Sequence, residues 1–358
     1  MWTSGRSGPG GASSARVVIL GAFSLVGVLG CEAPEVDDAS PAACVECEIR
    51  FLDSIQLQAP DTVTFNGGGL VTVSRDSQGR HFVAPTFTPG AFAVFDQAGQ
   101  FEQMVGRVGE GPGEFANPRW VAVGPGDSLW VHQNRAEDVS ILDPELGFVR
   151  RTLMKTEVPS LEAAARLGDG AIAVGERVSI TPDERESGVL GSGPGVAIVD
   201  VSGEVLSSFG QREPGRPATR LSAVTSVAQT PSFDAFWLWS HFDYRIERWS
   251  PDGTQLAVIE PDEPRFIDPD SDARGAVWAI MESEGVLWIH LRFAGPFRDE
   301  EAPQILQAVD IESGRVLAER SMALTPYLTP GGFVYFVEED ASGLNRISVM
   351  LLELREGG

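Results

Sequence analysis

At 358 residues the chain is long enough for one large domain or two ordinary ones, and large enough to bury a core that folds alone. A formal net charge of −24 repels polyanions at long range, which argues against nucleic acid or an anionic membrane surface as a partner and keeps the chain soluble. Plentiful Gly, Pro, Val, Trp and Phe favour many short strands divided by turns and leave little room for long helices.

The chain begins with an address. Arg6 and Arg16 give a positive leader, and Val17–Leu29 is an apolar run too short to span a bilayer comfortably but suited to a signal peptide. The run closes on Val28-Leu29-Gly30-Cys31, which resembles the bacterial lipobox, in which a small residue precedes the cysteine that becomes acylated and then N-terminal. Leu29 departs from the usual Ala or Ser. The resemblance implies that residues 1–30 are removed and that Cys31 carries the acyl chains that anchor the protein. An ordinary signal peptide or a transmembrane anchor is the alternative. Glu32 follows the cysteine; the Asp that favours inner-membrane retention in Gram-negative sorting is absent, which favours the outer membrane. Residues 31–47 are acidic, small and Pro-containing, as a flexible tether should be.

Setting Cys31 aside leaves Cys44 and Cys47, a C-x-x-C pair. In an exported chain such a pair most simply closes a small disulfide loop. Free thiols or a metal, and redox activity, are the other readings. A redox pair wants a helix N-terminus beneath it, and a zinc ribbon wants a second pair; neither is visible in the sequence.

From residue 48 onward the chain repeats at roughly 50 residues, a little above the usual period of a propeller blade. The run Leu161–Leu167 looks helical, but Pro159 and Gly168 bound it, and within the repeat it falls where an inner strand belongs. Third strands ending in Asp or a turn recur at Ala91–Gln100, Asp138–Gly147, Val196–Glu204, Arg245–Gly253 and Ile305–Gly314, each followed by a short fourth strand. Their Asp-x-x-Gly endings suit tight hairpins that need a left-handed residue. First and second strands fall upstream at equivalent places, which predicts six groups. The sixth lacks an outer strand after Arg346–Leu354, and Glu48–Leu57 is an orphan before the first. The expectation is therefore an all-β, six-bladed propeller over residues 48–358, with the N-terminal strand closing the last blade.

Gly109–Phe115 (GEGPGEF), followed by NPRWVAV and LWV, resembles the link of NHL-type repeats and of the six-bladed propeller lipoproteins of bacteria that share it. Arg245–Ile246 and Asn345–Arg346–Ile347 match the start of the third strand in such repeats. The full motif appears once, and its usual Ala-Asp ending is here His132–Gln133. The resemblance implies architecture and leaves function open.

In a propeller the links between blades share a rim with the loops between second and third strands, so GEGPGEF and two long insertions, Glu176–Gly195 and Arg292–Pro303, fall on one face. Arg119, Arg220 and Arg274 each come just before a first strand and form a candidate anion-binding set on that rim; salt bridging to the abundant carboxylates is the competing reading. Three of the four histidines, His132, His241 and His290, share one place in LWVH, LWSH and LWIH. Zinc held by three histidines is a weak alternative there, because no acidic partner orients them. The preceding Trp points instead to a packing unit between blades, with His at its edge. His132 is also a candidate ligand contact with the arginines. No nucleophile elbow, phosphate loop or dinucleotide fingerprint is present, and no cofactor is implied.

The reading is a lipid-anchored, extracytoplasmic, monomeric propeller that binds a protein, peptide or glycan of the cell envelope without catalysis. A metal-dependent lactonase or lyase with its site in the central channel is the alternative.

Overall fold

The computed structural model describes residues 47–60, 63, 71–85, 90–133, 138–153, 164–168, 170–175, 182–187, 193–200, 202–212, 225–240, 244–260, 274–294, 304–339 and 345–356. They form six four-stranded antiparallel sheets. Strand β1 (Cys47–Leu57) comes first and is set apart from its sheet in sequence. Blade one is β2 (Val71–Arg75), β3 (His81–Pro85), β4 (Phe92–Phe95) and β5 (Phe101–Val105). Blade two is β6 (Pro118–Val123), β7 (Leu129–Gln133), β8 (Asp138–Leu142) and β9 (Phe148–Leu153). Blade three is β10 (Ala164–Arg166), β11 (Ile172–Gly175), β12 (Gly193–Val199) and β13 (Val205–Arg212), with a short helix α1 (Pro182–Ser187) between its second and third strands. Blade four is β14 (Thr225–Gln229), β15 (Phe236–Ser240), β16 (Ile246–Trp249) and β17 (Gln255–Ile259). Blade five is β18 (Arg274–Ser283), β19 (Val286–Ala294), β20 (Gln304–Asp310) and β21 (Val316–Met322). Blade six is β22 (Tyr327–Thr329), β23 (Phe333–Glu339), β24 (Asn345–Glu356) and then β1. The fold is the expected six-bladed propeller, and the helical-looking Leu161–Leu167 run contains an inner strand, β10.

The turns between third and fourth strands explain the repeat. In blade one the Asp96 carboxylate accepts from the Ala98 and Gln100 amides at 2.9 and 2.8 Å, and Gly99 takes φ 81°. Asp200 repeats this with the Ser202 and Glu204 amides and Gly203 at φ 87°. Ser250 does the same work in blade four, where its hydroxyl accepts from the Thr254 amide at 3.2 Å. The side chain satisfies backbone donors that the turn would leave unpaired. In blades one to five the register shifts by a bulge just before this turn, which adds the twist that each blade needs.

The GEGPGEF link is built around Glu114 and Phe115. The Glu114 carboxylate accepts from the Gly111 amide at 2.8 Å and pairs with Arg107, which together hold it below the ordinary carboxylate range. The Phe115 ring is fully buried between blades one and two, 6.1 Å from the ring of Phe92. A side chain on Gly106 would collide with that ring, so the backbone must be bare there. These residues turn the chain and plug the junction.

Ring closure falls to β1. It pairs with β24 from Cys47↔Glu356 to Leu57↔Ile347, and the Gln58 amide then donates to the Gly99 carbonyl of blade one at 2.8 Å. Ile49 is buried in the core shared by blades five and six, and Leu57 in the core shared by blades six and one. The Arg320 guanidinium of blade five donates to the Ile49 carbonyl at 2.8 Å and lies over the Phe51 ring. Cys47 is disulfide-bonded; Cys31 and Cys44 lie outside the described residues. Ile49→Ala should lower the unfolding free energy by about 2–5 kcal/mol, read from urea denaturation, because it removes a filled volume from the closing strand.

Candidate functional site

The first strands lie against one another around the axis: β2 on β6, β10 on β14, β14 on β18, β18 on β22, and β22 back on β2. Side chains on these strands therefore decide what the centre of the ring can hold. Most are apolar or small. Arg166, at the end of β10, is a cation that is buried there, with Ala164, Ala165 and Leu167 buried around it.

Arg166 joins three blades. Its guanidinium lies over the ring of Trp120 in blade two, 4.4 Å from the ring centre. Its Nη1 donates to Oε1 of Gln229 in blade four at 3.1 Å, and Gln229 Nε2 donates in turn to the Val123 carbonyl of blade two at 3.5 Å. The other side of the cluster is His132, whose ring sits 4.7 Å from that of Trp120, its cross-strand partner. Arg166 is 3% exposed and His132 2%. Nε and Nη2 of Arg166, and both ring nitrogens of His132, have no hydrogen-bond partner among the described residues. Burial pushes the Arg166 guanidinium down to about 9. Burial first, and the charge of Arg166 second, push His132 well below its ordinary range, so its imidazole is neutral.

A second polar group lies in blade five, beside the first strand of blade six. The Arg292 guanidinium is 5.4 Å from the Trp278 ring centre, and His290, fully buried, has Nε2 3.0 Å from Gln304 Oε1. Tyr327 of β22 stacks on Tyr335 at 5.0 Å. At the next junction, between blades six and one, Arg75 lies over Phe333 at 4.0 Å. Guanidinium on aromatic ring joins neighbouring blades at Arg166, Arg75 and Arg320, and at Arg292 it lies within one blade.

The predicted site residues are distributed unevenly. Trp130, Trp239 and Trp288 fill the interfaces with the following blades, as the packing reading expects. His132 and His290 share a face of their strands with those tryptophans, two residues on, and both are buried. His241 lies outside the described residues, and among the described residues no group of three or more His, Cys, Asp or Glu is placed to hold a metal ion.

Arg119 occupies the bulge between Pro118 and Trp120, one residue before the cross-strand partner of His132. Arg274 begins β18, five residues before Ala279, the partner of His290. The two arginines therefore do not hold equivalent places; the bulge residue of blade five is Trp278. Arg220, residues 176–181 and 188–192 of one rim insertion and residues 295–303 of the other lie outside the described residues. Sequence reasoning missed Arg166, Trp120 and Gln229. The available signal was a lone cation in Ala163–Leu167, where every neighbour on the strand is apolar.

No protein-family model matches the chain, and no curated protein matches it. Solved structures do. A protein from Bacteroides fragilis, named as a candidate for export, aligns at 14% identity over 87% of this chain and 96% of its own, with a TM-score of 0.58. A member of the DUF4221 family from Bacteroides vulgatus aligns at 10% identity over 87% and 99%, with a TM-score of 0.56. A streptogramin B lyase aligns at 12% identity with a TM-score of 0.45, too distant a likeness to bear on chemistry. The first two likenesses show the fold, a six-bladed propeller shared with bacterial proteins.

The buried histidines give a pH signature. Burial pushes His81 and His290 from 6.5 down to about 4, with Arg75 adding to the effect at His81 and the Gln304 contact opposing it at His290. Each folded value lies below the unfolded one, so under pH 6.5 the unfolded chain takes up protons that the folded chain refuses. Stability should fall as pH drops from about 6.5 toward 4. In urea titrations across that window, His290→Gln should show a shallower fall than the parent protein.

Proposed function

We propose that the protein is a lipid-anchored, extracytoplasmic binding propeller of the bacterial envelope that engages a protein, peptide or glycan without catalysis. One observation carries the binding role: half-buried aromatic side chains on the inner strands, Trp120, Trp278 and Tyr327, lie beside the guanidiniums of Arg166 and Arg292. Aromatic surface with a few fixed polar groups is what binding sites are made of, since flat rings give contact area at low entropic cost and arginine gives direction. Arg119, Arg220 and Arg274, the set singled out in the sequence, are the candidate contacts for an acidic group of the partner. The export address rests on Val17–Cys31, and the Bacteroides protein named as a candidate for export is consistent with it. The outer membrane is the favoured site, with Cys31 as the acylated residue and Cys44–Cys47 as a small disulfide loop.

Fractionation tests the anchor. Full-length protein should sediment with membranes and incorporate labelled palmitate, whereas Cys31→Ser should lose the label and leave the membrane fraction. An unlabelled parent protein would overturn the anchor. Cross-linked capture from envelope fractions tests the binding role: exchanging Arg119, Arg220 and Arg274 together for Glu should reduce recovery of the captured partner at least tenfold, and undiminished recovery would remove those residues from the site.

A further inference from the structure

We infer that the axial cluster around Arg166 is a carboxylate-binding site, and that a carboxylate-bearing ligand is held there by the side-on fork of the guanidinium. This rests on reading the centre of the ring as a binding site and goes further by naming the chemical group bound.

The buried cation is the first observation. Arg166 is 3% exposed, on the innermost strand, in a chain that carries an excess of acidic residues. Arginine is almost never buried without an anion, because taking a charge out of water costs several kcal/mol that a counter-charge must offset. Yet its contacts among the described residues are neutral: the Trp120 ring and the Gln229 amide oxygen.

Which atoms are satisfied is the second observation, and it is specific. Nη1 is used by Gln229. The unpartnered atoms are Nε and Nη2, the two N–H groups on one edge of the planar guanidinium. Those two point in parallel at a spacing that fits the two oxygens of one carboxylate. Gln229, fixed by the Val123 carbonyl, and the Trp120 ring below hold the plane of the guanidinium in place, so the fork is oriented before any ligand arrives. The third observation is His132. Both its ring nitrogens are buried and unpartnered beside the same Trp120, which supplies a neutral N–H that can turn to a carboxylate oxygen. A tetrahedral phosphate also accepts such a fork, but its larger charge would draw on more cations than the one that this cluster holds.

The test uses full-length protein in detergent, at constant ionic strength, with acetate, succinate and inorganic phosphate as probes against a chloride reference. Acetate or succinate should raise the melting temperature saturably. Arg166→Met, close in volume, should abolish the response, and Arg166→Lys, which keeps charge but loses the fork, should weaken affinity at least tenfold. Nitrogen-15 NMR of the arginine Nε–H signals carries the same test in unaltered protein: one protected signal should shift saturably with carboxylate. Absence of both the thermal response and the shift overturns the inference, as does equal response in Arg166→Met or tighter binding of phosphate than of the carboxylates. Partner capture from envelope fractions is read separately, so that capture without a carboxylate response overturns the carboxylate site alone, and loss of capture with the response intact overturns the partner-binding reading alone.

Discussion

Four-stranded sheets packed face to face bury both sides of every sheet except the first and the last, and those two stay wet unless they meet. The pairing of β1 with β24 makes them meet. It puts Ile49 and Leu57 into the two cores that flank blade six, and carries the chain on to hydrogen-bond the turn of blade one. The inner strands can then press together around an axis, and what they press together is chosen by a few side chains. A ring held at every junction is stiff, and that stiffness is what gives a single guanidinium a fixed direction.

The junctions are not all made alike. Blades one and two are plugged by Phe115, delivered by the glycine-rich link. Blades two and three are joined at the centre through Trp120 and Arg166, a contact that is polar, buried and incompletely satisfied. An unmade hydrogen bond in a low-dielectric interior is costly, so a fold that keeps one has a reason other than cohesion. Aliphatic residues in those places would pack the junction at no such cost. The arrangement has the character of a receiving site inside a structural wall.

Much of the architecture was legible from residue types. Asp96 and Asp200, with Gly99 and Gly203 three residues on, announce the same hairpin because only a few side chains can accept from the turn amides while a following residue goes left-handed; Asp143 uses Leu146 for that residue, and the Asp310 turn is one residue longer. The orphan strand at Glu48 announces closure because a sheet with a bare face is unstable alone. The site was harder. Arg166 stands in Ala-Ala-Ala-Arg-Leu, a lone cation among apolar neighbours, but Trp120 and Gln229 of two other blades decide that it is buried at the axis rather than facing water. The bulges at Arg119 and Trp278 each add a residue to one strand, so counting along the sequence misaligned Arg119 with Arg274. His132 and His290 repeat visibly, and each faces a first strand that carries a bulge.

The closing strand also fixes an order of events. Cys47 and Glu356, paired at the start of the contact, stand at nearly opposite ends of the chain. A polypeptide is made from its N-terminus, so β1 exists long before its partner and must wait, edge exposed, while five blades form. Contacts this distant in sequence are slow to make, and an unpaired strand that waits is open to the wrong neighbour. The acidic flank before β1 and the charged residues Glu48 and Arg50 on it serve that interval as much as the finished ring, since charge keeps a lone edge from pairing with another copy. Completion of the last strand is then the event that admits the first, and a chain that stops before β24 leaves β1 with no strand to pair with.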